Sequence, residues 1–485
     1  MKNSKKKKLS FPGTFWSANT MELFERLAWY GMFLILALYF TGSKDEGALG
    51  FSQSQKGLLL GVVSGILYVL PIITGTIADK FGYKKILYVS YSILIIGYLL
   101  MGYVKSYGGM WLAFMIVAIG AALFKPIVSA TIAKTTNKKT SSIGFGIFYM
   151  TVNIGSFIGP LIASHLRNTS WQAVFVMSAI SIAINMILVS VFFKEPVKNK
   201  TTEKLGVALT KVFRDIYTVL KDLKFIFFLI IIIGFWTMYF QMFFSLPNFI
   251  DQWVDTTTLY NFFHNISPKL AEALGTPQGT VNPEIILDFD ALAIIVLQLL
   301  ISTIVMRLKP VISIICGIIV ASIGGALTFA FDNAIYVVIA LVIFAIGEMA
   351  SSPKITEYIG RIAPPKNVGL YIGMSFLPVA GGNFLGGIVS GFGYERLSDK
   401  YALLAKYLNL KGIHIPPPNG NYDSYWKAAC EKLNMNSHEL TTLLWNNYHP
   451  QNFWYVIAII GIASALILFL YNLFVIKNKA VKNND

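Results

Sequence analysis

The sequence predicts an all-α integral membrane protein, with twelve spanning helices arranged as two six-helix bundles. Three observations predict it. The 485-residue chain is 55% hydrophobic and only 13% charged, with a mean hydropathy of +0.61, whereas an average soluble domain is about 25% charged. Apolar runs of about 20 residues recur, each long enough to cross a ~30 Å hydrocarbon layer. Lysine and arginine collect at alternate ends of those runs, as the positive-inside rule expects.

The spans read, in order, as 14–41, 54–78, 84–104, 109–133, 142–165, 171–193, 224–249, 288–307, 310–330, 334–360, 368–393 and 452–476. Residues 1–13, with five lysines among the first eight, form a basic cytoplasmic N-terminus. No cleavable signal peptide is expected, because the first apolar run is too long and lacks an A-x-A-like site. Residues 14–193 make the first bundle and 224–476 the second, with a cytoplasmic tail at 477–485. Alternation puts seven basic clusters on one side: Lys5–Lys8; Lys80, Lys84 and Lys85; Lys134, Lys138 and Lys139; Lys194–Lys224; Arg307 and Lys309; Arg361 and Lys366; Lys477, Lys479 and Lys482. The short opposite loops hold Lys44, Lys105 and Arg167. Both termini are therefore expected in the cytoplasm of a cell whose plasma (inner) membrane the chain crosses.

The linker 194–223 repeats Val212, Phe213, Ile216, Leu220 and Leu223 at helical spacing, with Lys211, Arg214, Lys221 and Lys224 between them. That pattern predicts a basic amphipathic helix on the membrane surface. Two longer segments, 250–287 and 394–451, face outward; the second, polar and aromatic with Pro416–Pro417–Pro418, is expected as a lid or short helical cap.

The net charge of +16 does not point to nucleic acid, because its distribution follows the spans. Cys316 and Cys430 give no disulfide framework and no metal spacing. The five histidines lie at span ends or in loops, and no paired metal ligands, Gly-rich phosphate loop or Ser/His arrangement falls in a span. No cofactor, metal or enzymatic activity is expected.

The most informative feature is charge inside the first span: Glu22, Glu25 and Arg26 fall within about 100° of one helix face, shared with Trp29, Tyr30 and Phe33. Such charge costs several kcal/mol in a bilayer and persists where it is paired and useful. Two readings are open, a buried ion pair between helices and a proton-binding, charge-switching site on a polar path. Lys125 in span 4 lies beside Ala118, Ala121, Ala122 and Ser129, with Glu22 and Glu25 its nearest candidate anions; the alternative is a lysine snorkelling to the interface. Glu348 in span 10, near Ser351 and Ser352, has no cation in its own helix; the alternative is a carboxyl bonded to a neighbouring helix. Arg26 and Lys125 in one bundle and Glu348 in the other describe a bipolar cavity, suited to a zwitterion several ångströms long. Aromatics would make such a cavity indifferent to side chains, and Asn153, Gln241 and Gln298 are amides that need partners.

Two sets of motifs resemble known families. Gly75-x-x-x-Asp79-Lys80-x-Gly82-x-Lys84-Lys85, between spans 2 and 3, resembles the loop signature of the major facilitator superfamily, which implies a gating role for Gly75, Asp79 and Lys80. Glu22-Leu-Phe-Glu25-Arg26-Leu-Ala-Trp29-Tyr30-Gly31-Met32 resembles the E-x-x-E-R-F-x-Y-Y-G-M signature of the proton-dependent oligopeptide transporters. Leu123-Phe124-Lys125-Pro126, Phe148-Tyr149-x-x-x-Asn153-x-Gly155-Ser156 and Glu348-x-x-x-Ser352-Pro353 with Ala363-Pro364 resemble further motifs of that family. The resemblance spans both halves. It implies the major facilitator fold and proton-coupled import of di- and tripeptides by alternating access. It also implies proton coupling through Glu22, Glu25, Arg26 and Lys125. Substrate contacts are implied from Arg26, Trp29, Tyr30, Phe33, Tyr68, Lys125, Asn153, Trp236, Glu348 and Ser352. Partners implied are a small peptide, protons and the lipid bilayer.

The match departs from the family around the pocket. Phe33 stands where peptide carriers usually have Arg, Trp29 and Leu27 replace Tyr and Phe, and Ser375 lies near a common Trp. Lys354 directly after Pro353 is also unusual. Asp290 sits about where Asn is common, or caps a helix N-terminus. Phe33 keeps open a carrier of another small zwitterion or anion, such as an amino acid.

Overall fold

The computed structural model describes residues 11–137, 140–196, 205–365 and 367–477. Lys5–Lys8, Lys138, Lys139, Lys366, Lys479, Lys482 and residues 197–204 of the linker lie outside them. Among the described residues, eleven helical segments are long and apolar enough to cross a membrane, and one bent pair taken as a single span makes twelve.

The first half opens with α1 (Gly13–Phe33) and α2 (Leu36–Thr41), which continue one another as a single span. Then follow α3 (Gln53–Val69) and α4 (Pro71–Phe81), where one span, 54–78, was expected. Pro71 cannot continue the helical hydrogen bonding of α3, and the pair bends by 44°. Ser52 and Gln55 close a capping box at the start of α3. α5 (Tyr83–Tyr103), α6 (Tyr107–Thr135), α7 (Ser141–Arg167) and α8 (Trp171–Val191) complete the half. Ser106 and Ser170 cap α6 and α8 through their hydroxyls.

The linker carries α9 (Leu205–Leu220), which packs on α4 of the first half and α18 (Val368–Met374) of the second. The run expected as 224–249 is broken into α10 (Leu223–Tyr239), α11 (Gln241–Phe244) and α12 (Leu246–Trp253). α13 (Thr257–Ile266) and α14 (Pro268–Leu274) cover the loop end. α15 (Pro283–Val305) begins five residues before the expected 288, with Pro283 at its first position. α16 (Pro310–Leu327), α17 (Ala334–Ile362), α18 and α19 (Phe376–Ile388) follow. The segment 394–451 is a helical cap, α20 (Tyr394–Leu397), α21 (Lys400–Leu410), α22 (Tyr422–Leu433) and α23 (Ser437–Tyr448), before α24 (Phe453–Tyr471) closes the fold.

Each half has its own core. One runs through Phe15, Tyr91, Phe124 and Phe175, the other through Phe228, Ile318, Phe344 and Leu468. The halves meet where α3 packs on α19 and α7 on α15. The first seam is closed by glycines: a Cβ on Gly61 would sit 2.9 Å from the Gly387 Cα.

Most polar links between the halves lie at the loop end. Arg167 pairs with buried Glu284 at 2.8 Å. Asn282 donates to Ser164 at 2.8 Å, Gln53 to Asp399 at 2.8 Å, and the Ser54 hydroxyl to Glu395 at 2.6 Å. Lys56, wholly buried, donates to the Phe244 carbonyl at 2.6 Å. The cap reaches the first half as well: Lys44 N–H donates to the Gly420 carbonyl at 2.8 Å and Ser424 N–H to Asp45 at 3.1 Å.

Candidate functional site

The face of α1 is aimed by its neighbours. Ser178 and Asn185 of α8 donate to the Ala28 and Met21 carbonyls at 3.0 and 2.8 Å. Gly155 and Gly159 let α7 come so close that a Cβ on Gly159 would fall 2.9 Å from the Gly31 nitrogen. Held this way, α1 packs Glu22, Glu25 and Arg26 into one buried cluster. Arg26 Nε donates to Glu25 Oε2 at 2.6 Å and lies 3.3 Å from Glu22 Oε1; a second guanidinium nitrogen also pairs with Glu25. Glu25 is 0% exposed, and its Oε1 has no partner. One guanidinium is thus shared by two carboxylates, with both of its contacts to Glu25 converging on Oε2.

Among the described residues Lys125 makes no ion pair of contact length with Glu22 or Glu25, whose contacts go to Arg26. Its Nζ lies 4.4 Å from the Tyr68 ring centroid, a cation–π contact on the tyrosine face. Spacing along α1 brought three charges together, but the reach of a lysine from α6 depended on packing between helices.

Two adjoining cavities open between the halves. The larger, about 360 Å³, is walled by Trp29, Tyr30, Phe33, Tyr68, Trp236 and Ser352, with Tyr239, Phe240, Phe243 and Ser375 among the rest. The second, about 220 Å³, is lined by Asn153, Glu348 and Ser352 with Tyr149, Asp288 and Asp290. Tyr30, Tyr239, Phe243 and Ser352 line both. Neither is lined by Arg26 or Lys125. Arg26 lies behind the wall, its Cζ 5.9 Å from the Tyr30 ring, as Lys125 lies behind Tyr68.

Glu348 Oε1 accepts from the Tyr239 hydroxyl at 3.2 Å and Oε2 has no partner. The Trp236 indole N–H, also buried, has none. Phe33 stacks on Trp29 with centroids 5.2 Å apart and meets Phe243 at 5.8 Å, so this position is apolar and aromatic. Asn153 gives its amide to the Tyr149 carbonyl at 2.9 Å. Gln241 bonds Thr237, Gly386 and Ser245 and serves to tie α10 to α19, away from both cavities. Asp290 is no helix cap, because it lies seven residues inside α15. Tyr239, Phe243 and Asp288 were not singled out; the aromatic run Trp236–Phe244 carried the signal for the first two.

The loop motif sits at the far end. Asp79 accepts from the Tyr83 hydroxyl at 2.8 Å and lies 3.6 Å from Lys134 Nζ, tying α4 and α5 to α6. Gly82 adopts φ +92°, a conformation that favours glycine. Gly75 faces Pro126 of α6, and Lys80 lies over the Phe81 ring at 5.9 Å. Glu195, unnoticed in the sequence, accepts from the Tyr83 and Lys84 N–H groups at 2.8 and 3.0 Å and caps α5.

A family model described as Major Facilitator Superfamily matches residues 20–257. The uncharacterized MFS-type transporter YqjV of Bacillus subtilis is 25% identical over 79% of this chain and 87% of its own length. Dipeptide and tripeptide permease A of Escherichia coli is 28% identical over 36% of this chain and 35% of its own, so the match spans about a third of that permease. Among solved structures, a bacterial homologue of the human drug peptide transporters PepT1 and PepT2 superposes with a TM-score of 0.66 at 19% identity, covering 96% of this chain and 99% of that one. A POT family transporter in complex with 5-aminolevulinic acid gives 0.65 at 18%, covering 94% and 95%. At these identities the structural likeness is one of fold.

Proposed function

We propose that this chain, whose residues 20–257 match the Major Facilitator Superfamily model, is a proton-coupled symporter that imports di- and tripeptides by alternating access. The membrane is the cytoplasmic (inner) one, with both termini inside. The observation that carries the reading is the pair of tyrosines between opposite charges: Tyr30 and Tyr68 wall the cavity while Arg26 and Lys125 stand behind them, and Glu348 faces the adjoining cavity across from Tyr30. The permease relatives support the substrate class. The larger cavity is in the range of small-ligand pockets, about 300–1,000 Å³.

The peptide ammonium seats on the free Oε2 of Glu348, and the peptide carboxylate takes the side of Arg26 and Lys125. In the described state Arg26 is held by Glu22 and Glu25. A proton on one of these carboxyls releases the guanidinium toward the substrate. After substrate and proton leave, the ion pairs re-form and favour return. Polar links at the loop end and a basic opposite end support an inward-facing state here. Each charge moved gains ~2.3 kcal/mol per 100 mV.

Proteoliposome uptake of labelled Ala-Ala, with and without an imposed acid-outside gradient, tests this. Uptake that rises with the gradient is expected; uptake indifferent to it overturns the coupling. A second reading, a carrier of a single amino acid or related zwitterion, is favoured by Phe33, which leaves one cation fewer for a carboxylate. Free alanine competing better than Ala-Ala would establish it.

A further inference from the structure

We infer that the wall formed by Asp288, Asp290 and Glu348 selects substrates with a second cationic group, such as peptides carrying lysine or arginine beside the amino terminus. This deepens the peptide reading and rests on it.

One ammonium needs one carboxylate, and Glu348 supplies it. Asp288 and Asp290 exceed that need, yet both line the same cavity of about 220 Å³. Each of the three carboxyls leaves an oxygen without a partner: Asp288 Oδ2, Asp290 Oδ1 and Glu348 Oε2. Asp288 is only 3% exposed. Carboxyl oxygens left without a partner in a largely buried wall cost free energy, whether the groups stay ionised side by side or hold protons with unused hydrogen-bonding capacity. No lysine or arginine lines this cavity or its neighbour to offset them. A substrate cation would.

A metal ion does not fit the arrangement. No group of three His, Cys, Asp or Glu among the described residues converges closely enough to hold one. Carboxyls spread over a cavity wall suit an organic cation with its charges several ångströms apart. The adjoining cavity suits the same ligand, since aromatic faces such as those of Trp29 and Trp236 attract ammonium and guanidinium groups. Phe33 keeps its own stretch of wall free of positive charge.

The test is competition against labelled dipeptide in counterflow, together with tryptophan-fluorescence binding to the purified full-length protein. The competitors are Lys-Ala, Ala-Ala, Ala-Glu and lysinamide. Lys-Ala is expected to compete about tenfold better than Ala-Ala, the scale of one charge-assisted hydrogen bond, with Ala-Glu weakest. Asp290→Asn should bring Lys-Ala and Ala-Ala within about twofold of each other, and Asp290→Glu should restore the gap. Equal competition by Lys-Ala and Ala-Ala in the unmodified protein overturns the inference and leaves the peptide reading intact. Lysinamide binding without any dipeptide binding overturns the peptide reading and leaves the cationic wall standing. Failure of all four ligands to bind overturns both.

Discussion

Replacing Gly57 by alanine should unlock the loop end. Gly57 lies on α3 at the seam with α19. A Cβ there would fall 2.7 Å from the Gly391 nitrogen and Cα and still closer to the Gly387 carbonyl oxygen. These are backbone atoms, so no side chain can rotate away, and the two helices must part. Overpacking of this kind costs about 1–3 kcal/mol. Charged against the closed state alone, that shifts the open–closed balance about 5–150-fold. The assay is labelling of Ser64→Cys, in the cavity wall, by a membrane-impermeant maleimide added from the loop side, with Cys316 and Cys430 changed to serine. The labelling rate should rise in proportion. Gly146→Ala is the control, since a Cβ there meets nothing within 4 Å. An unchanged labelling rate in well-folded Gly57→Ala protein would refute the argument that this seam is closed by the absence of side chains.

Arg167→Met strands Glu284, which is 0% exposed, and an unpaired buried carboxylate costs about 3–5 kcal/mol. The same labelling should therefore accelerate, and adding Glu284→Gln should reverse most of the gain; no reversal would mean the pair does not hold the halves. Glu25→Gln removes one of the two carboxylates on Arg26 and should abolish acid-driven uptake while leaving part of the counterflow, whereas equal loss of both contradicts a coupling role. The Ser424 N–H beside Asp45 holds its carboxyl below the ordinary 3.8. A lowered carboxyl contributes docking free energy that is full above 3.8 and is lost as pH falls through the docked value. Protection factors in α22, exchange rates divided into the intrinsic rate at each pH, should thus stay constant from neutral pH to about 4 and fall only below it; a fall near pH 6 would exclude Asp45 as the tie.

Where local chemistry decided structure, it was legible. The spacing of Val212, Phe213, Ile216 and Leu220 falls inside α9, and hydropathy gave the spans because a bilayer demands length and apolarity alone. Two kinds of information were not local. Breaks inside apolar runs, at Pro71 and around Phe240 and Ser245, pass unseen through a hydropathy window, although Pro71 itself was the signal. The cap was read by its polarity, yet its helices carried caps of their own at Asp399 and in the Asn436–Glu439 box. In the site, the grouping of Glu22, Glu25 and Arg26 followed from helical spacing within one element. The place of Lys125 on Tyr68, and of Asp290 beside Glu348, depended on how α6 meets α3 and where α15 begins, which no single element's spacing contains.

The cap has a consequence for opening. It is tethered at both ends to the second half, between α19 and α24, but fastens by Gly420, Asp423 and Ser424 to Lys44, Ser43 and Asp45 of the first. Every excursion that parts the halves at this end has to peel it away and seat it again. These ties add to those of Gln53 with Asp399 and Ser54 with Glu395, and at about 1 kcal/mol each they make the cap part of what any opening at this end must break.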